Sequence, residues 1–245
     1  MSKSTEYLNE IEKIIESIKL NSAESVEATA SAFKNALMNG NRIFLFGTGH
    51  SHMLAEELFY RAGGLVEIQP VLVPQLMLHI SAHESTEIER RQGLAEEIFK
   101  EYKMSSEDVI VISSNSGRNG VVVDMALLCK SKGLTVIALT SLKHTMAGES
   151  RHRSGKRLCE IAHVTLDNYG CHGDACVSVE GVGGKICPTS TVSGAILLNM
   201  AVARCVEMCA CDGYYPPHFQ SANVDGGDEI NDRLVAEYKK EIKHL

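Results

Sequence analysis

Asp108-Val-Ile-Val-Ile-Ser-Ser-Asn-Ser-Gly-Arg-Asn-Gly120 changes character once, at Ser113. Val109 to Ile112 is a short, continuous apolar run, as a strand buried on both faces requires. Ser113 to Asn119 is unbroken polar sequence, and Val121 to Lys130 resumes as a helix that closes at Lys132-Gly133. A strand, polar loop and helix in this order set free backbone N–H groups and the positive end of a helix dipole beside several hydroxyls. Gly117 lets the backbone approach a ligand without a Cβ in the way. A plain helix cap needs one Ser or Asn, whereas several surround this glycine, so the loop is read as a phosphate site.

The same alternation extends in both directions. Arg42-Ile-Phe-Leu-Phe46 is a buried strand, and Gly47-Thr-Gly-His-Ser51 turns from it into a helix holding Met53, Leu54, Leu58 and Phe59. The third glycine of a dinucleotide fingerprint would fall at His52, and no acidic ribose ligand closes the next strand, so the turn is no nucleotide signature. Gly49 and Ser51 instead suit a second wall of the phosphate site. Leu65 to Val73 is a strand ended by Pro70 or Pro74. Thr135 to Leu139 is the fourth, ending in Thr140-Ser141, and Val164 to Asp167 is the fifth. Five strands alternating with helices predict a three-layer α-β-α sandwich around a parallel sheet with right-handed crossovers. Ligands in such sheets sit beyond the carboxyl ends of the strands, so the loops 47–51, 113–119 and 140–141 should converge.

Around this core lie less regular pieces. Residues 4–20 and 22–38 read as two helices forming an N-terminal arm. The segment 76–93 is crowded with charge and imidazole. Solvation accounts for Glu87 and Arg91, while His83, Glu84 and Glu89 stand as catalytic candidates because this loop leads to the strand before the Ser/Asn loop. The stretch 143–157 is basic, and could attract an anion or simply be solvated. Residues 170–187 suggest a hairpin through Cys176 to Glu180. The run from Pro188 to Ala210 is a helix apolar nearly all round, with hydroxyls at its start, and a short helix bearing Leu234, Val235, Tyr238 and Ile242 ends the chain. No repeat or linker divides it, so residues 1–245 are expected to form a single domain.

The chain has 245 residues, 44% hydrophobic and 22% charged, with a net charge of −7 at pH 7. This size supports one large core, and the acidity argues against nucleic acid or anionic membrane as partner. No run is read as a membrane span and the start has no signal-peptide core, so a cytoplasmic protein is expected. Its eight cysteines are then free thiols. Cys171, His172, Asp174 and Cys176 match no usual zinc spacing, and no metal or cofactor is expected.

Gly47-Thr-Gly-His-Ser51 and Ser114-Asn-Ser-Gly-Arg-Asn119, each after a strand, resemble the sugar isomerase (SIS) domain family over about residues 33–212. Asn119 stands where that family usually has Thr. The whole chain, with Arg151-His-Arg-Ser-Gly-Lys-Arg157 and the segment Ser221 to Glu229, resembles a single-domain branch labelled phosphoheptose isomerase. The resemblance implies a flavodoxin-type fold, a homodimer or homotetramer, and a sugar phosphate held by Gly49, Ser51, Ser114, Asn115, Ser116, Gly117 and Asn119. It implies aldose–ketose isomerisation through an enediolate, or amino-sugar phosphate lyase chemistry, or binding alone. Family position makes Glu84 or Glu89 the base, or Glu57 on the helix after the first turn, with His83 or His218 assisting. The histidines that accompany zinc in the phosphoheptose branch have no match.

Overall fold

The computed structural model describes residues 2–245. Five strands form one sheet: β1 (Ile43–Gly47), β2 (Ile68–Val71), β3 (Val109–Ser113), β4 (Thr135–Thr140) and β5 (Val164–Asp167). All are parallel in the order β2-β1-β3-β4-β5, the flavodoxin arrangement. In this order the chain changes direction between β1 and β3, and the crevice beyond their carboxyl ends is where such folds bind ligands.

The period-two alternation of strands divides the core. Ile43 and Leu45 of β1 and Val109 and Val111 of β3 pack with α2 (Ala23–Met38), α3 (Met53–Leu58) and α9 (Ser190–Cys211). Phe44, Phe46, Ile110 and Ile112 point the other way, against α5 (Ala95–Glu101), α6 (Gly120–Ser131) and α8 (Leu158–Ile161). Both faces are therefore apolar, which is why these strands read as unbroken hydrophobic runs.

The N-terminal arm is α1 (Lys3–Asn21) followed by α2; Ser2 caps α1 by accepting from the Thr5 N–H at 3.2 Å. Tyr7 of α1 donates to the Pro188 carbonyl at 3.0 Å, seating the arm on a hairpin of β6 (Ala175–Ser178) and β7 (Lys185–Pro188).

Several local expectations are corrected. The segment read as a charged loop contains α4 (Leu78–Ile88), interrupted by extended backbone at Ser81. Ser85 anchors it from the inside by donating to the Leu76 carbonyl at 2.8 Å. Pro70 lies within β2, on the outer strand of the sheet, where a missing N–H costs no ladder bond. The basic stretch begins with a short helix, α7 (Leu142–Met146). The C-terminal helix α10 (Gly227–Tyr238) starts earlier than its apolar residues indicated. Helix α9, with a mean hydropathy of 1.5, is long and apolar enough to cross a membrane by length and composition, contrary to the reading that no run is. Here it packs on the sheet face and α2 through Leu197, Leu198, Ala201, Cys205 and Cys209, while Val192 remains exposed.

Candidate functional site

The loops at the carboxyl ends of β1 and β3 meet as the strand order requires. They enclose a small cavity whose wall includes His50, Ser51, Ser114, Asn115, Asn168 and Ser190. Two glycines make the approach possible. A Cβ on Gly47 would lie 2.5 Å from the Ser51 carbonyl oxygen, so only glycine lets the turn fold back on the end of β1. Gly117 has φ +58, and its added Cβ would stand 3.1 Å from both the Thr140 and Thr145 hydroxyl oxygens.

The β3 loop is held by its own side chains. Ser114 Oγ accepts from the Gly117 N–H at 3.1 Å. The Asn115 carbonyl accepts from the Ser141 N–H and from Thr140 Oγ1, both at 3.2 Å. Its side-chain Oδ1 accepts from Asn168 Nδ2 at 3.0 Å, while Asn168 Oδ1 takes the Gly170 N–H at 2.8 Å. Asn115 Nδ2 is buried without a protein acceptor, so a donor is left at the cavity wall. Sequence reading placed Asn168 only in a turn; its neighbours in the fold are 53 residues away in the chain.

The hydroxyl-rich start of α9 reaches the same cavity but is already capped. Asp174 Oδ1 accepts from the Thr189 and Ser190 N–H groups at 3.0 and 2.9 Å, and Oδ2 accepts from Ser190 Oγ at 2.6 Å. This carboxylate at a helix N-terminus explains Asp174 without a metal. Among the described residues no three His, Cys, Asp or Glu side chains are placed to hold one.

The carboxylate candidates separate sharply. Glu89, just after α4, is half-buried. Its Oε2 accepts from Thr48 Oγ1 and its Oε1 from Asn119 Nδ2, each at 2.8 Å, so it bridges the β1 loop and the start of α6. Burial raises its pKa above the ordinary glutamate value, against the opposing Thr48 hydrogen bond and the charges of Arg90 and Arg151. Asn119 thereby spends its amide on Glu89 and on Arg151, which donates to its Oδ1 at 3.1 Å, and leaves its backbone N–H at the loop. His83 and Glu84 are exposed on α4. Glu57, on α3, is ion-paired with Arg61 and accepts from Asn199 of α9 at 3.4 Å. His218 is exposed and bridges to Leu65, at the amino-terminal side of the sheet and away from the loops. Of the phosphate-site candidates, Ser51, Ser114 and Asn115 line the one cavity; Glu89 is tied to the β1 loop through Thr48, and Glu57 and His218 are not.

Comparison with known proteins was made against this geometry. The SIS domain model matches residues 6–141, a span that takes in the arm and both loops. A UPF0309 protein of Halalkalibacterium halodurans is 42% identical over 241 residues, covering 98% of this chain and 96% of its own. Another, from Thermoanaerobacter pseudethanolicus, is 41% identical over 244 residues, with coverages of 98% and 99%. Among solved structures, a phosphoheptose isomerase of Francisella tularensis superposes with a TM-score of 0.51 at 15% identity, over 84% of this chain and 97% of its own. A protein named as a phosphosugar isomerase involved in capsule formation, from Bacteroides fragilis, gives 0.50 at 15%, over 92% and 99%. At such identities the likeness is one of fold.

Proposed function

The chain belongs to the SIS domain family, and on that premise we propose that it binds a phosphorylated sugar at these loops and isomerises it between aldose and ketose. The observation that carries the reading is the meeting of the β1 and β3 loops around one cavity, with Glu89 suspended between them. The phosphate sits on the 114–117 loop, taking backbone N–H groups and the hydroxyls of Ser114 and Ser116, with Ser51 on the facing wall. Asn115 Nδ2 supplies a further donor.

Glu89 is the base. Its carboxylate takes the proton from the carbon next to the carbonyl, and the electron pair moves onto the carbonyl oxygen to form an enediolate. The protonated carboxyl then returns the proton to the neighbouring carbon, while the hydroxyl proton passes from one oxygen to the other. A raised pKa suits both halves of this cycle, since the group must hold and release a proton at nearly equal cost. Donors at the cavity wall, including His50, stabilise the enediolate oxygens.

The test is solvent deuterium exchange into a panel of pentose, hexose, heptose and amino-sugar phosphates. Exchange at the carbon beside the carbonyl is the expected result. Thermal stabilisation by a sugar phosphate without exchange would reduce the protein to a binding module, and absence of both would remove the phosphosugar reading.

A further inference from the structure

Three arginines gather where the β3 loop enters α6, and phosphate binding by the loop leaves them unexplained. Arg118 lies within the loop, and its carbonyl accepts from the Arg151 N–H at 2.9 Å. Arg151 reaches Asn119 Oδ1 at 3.1 Å. Arg90 follows Glu89, whose carbonyl accepts from the Val121 N–H at 3.1 Å in the first turn of α6. Arg151 feels the charges of both other arginines, and these, after burial, hold its guanidinium below its ordinary pKa.

Among the described residues none of the three forms an ion pair with a carboxylate. Glu89, whose charge Arg151 feels, spends both oxygens on the neutral donors Thr48 and Asn119. A solvated basic patch would explain Arg90 and Arg151, which are exposed. It does not explain Arg118, whose Nε is buried without a partner. Gly148 makes space for this guanidinium, since a Cβ there would lie 2.4 Å from Arg118 Nη1. The adjoining segment 143–157 adds four further Lys and Arg residues against Glu149 alone, within a chain of net charge −7. Guanidiniums collected against self-repulsion, one with a desolvated donor, form a fork for a planar or tetrahedral anion.

We propose that the ligand carries a second anionic group, a carboxylate or a second phosphate, bound by Arg118 and Arg151 beside the phosphate loop, with Arg90 adding charge. This rests on the phosphosugar reading of the same site and narrows its substrate class to doubly anionic sugars, either phosphorylated sugar acids or sugar bisphosphates.

The test begins with inorganic phosphate, titrated onto the full chain and counted by phosphorus NMR. Wild type is expected to take up two phosphates. Arg118→Gln/Arg151→Gln should lose one of them and Ser114→Ala/Ser116→Ala the other, while Arg118→Lys/Arg151→Lys, which keeps the charge without the fork, should hold the arginine-dependent phosphate more weakly than wild type but more tightly than the Gln pair. A single phosphate, indifferent to the arginine substitutions but lost with the serines, overturns the second site and leaves the loop reading standing. A phosphate lost with the arginines but not with the serines supports the arginine site and removes the loop reading instead. Affinities for glucose 6-phosphate, gluconate 6-phosphate and glucose 1,6-bisphosphate then separate the two anions. The preferred dianionic sugar should bind at least about tenfold more tightly than the monophosphate, with the advantage gone in the Gln double variant. Equal affinity across the three in wild type also overturns the proposal.

Discussion

Thr48 Oγ1 donates to Glu89 Oε2 at 2.8 Å, joining the turn after β1 to a carboxylate 41 residues further along the chain. The β1 turn is thereby tied to the segment after α4, and with the Asn119 amide on its other oxygen this half-buried carboxylate is held between two partners. The hydrogen bond also tunes it, since it opposes the upward pull of burial on the carboxyl.

Glu89→Gln should preserve sugar-phosphate affinity within a few-fold and lower proton exchange by about 10²–10⁴-fold, the usual worth of a general base. In wild type, activity should fall with decreasing pH through the raised carboxyl pKa, above the ordinary value of 4.5, because the base must be ionised to act. Thr48→Val deletes the bond that favours the ionised form and should shift this midpoint further up. An unmoved midpoint in a pH–rate profile would disconnect Thr48 from the acid that titrates.

Gly117→Ala places a side chain at φ +58 and against the Thr140 and Thr145 hydroxyls. The conformational cost alone is about 1–2 kcal/mol. Urea denaturation should register that loss, and calorimetry should show phosphate binding weakened more than by Ser116→Ala, since the whole loop shifts.

Asn168→Ala removes the donor to Asn115 Oδ1 and the acceptor of the Gly170 N–H. Two polar groups are stranded in a buried position, at about 1–3 kcal/mol each. Stability should drop and ligand affinity with it. Asn168→Asp, which keeps the acceptor and loses the donor, should recover part of the stability and none of the affinity for an anion.

Far from the loops, Glu67 is desolvated and its pKa is pushed up to about 7 from 4.5, against its own backbone N–H and a long contact of 3.5 Å from the Tyr214 hydroxyl, while one oxygen has no side-chain or backbone partner. An acid with a raised folded pKa destabilises the fold once ionised. The penalty is absent below the unfolded value near 4.5 and complete above about 7. Glu67→Gln should therefore stabilise the protein at pH 8 by about 1–3 kcal/mol, after allowance for solvent screening, and not at pH 4. Equal effects at both pH values in urea melts would contradict the assignment.

Sequence alone determined the strand positions, the parallel sheet and the loop between β3 and α6. Strands covered on both faces must be apolar throughout, and Val109 to Ile112 stands out against its polar flank for that reason alone. Hydroxyls next to a glycine and a helix start are likewise local signals, so the position of the Ser114 to Gly117 loop at the end of β3 was legible. The difference in surroundings between Glu89 and Glu84 was not. Both lie in one charged stretch, and they differ only in what folds against them: Glu89 meets Thr48 and Asn119, whereas Glu84 stays in solvent on α4. Asn168 and Arg118 were hidden in the same way, one by a partner 53 residues off and one by the burial of a single nitrogen. Patterns with the period of a strand or helix are written along the chain, but desolvation and pairing arise between segments distant in it, and they decide which polar residues are set to act.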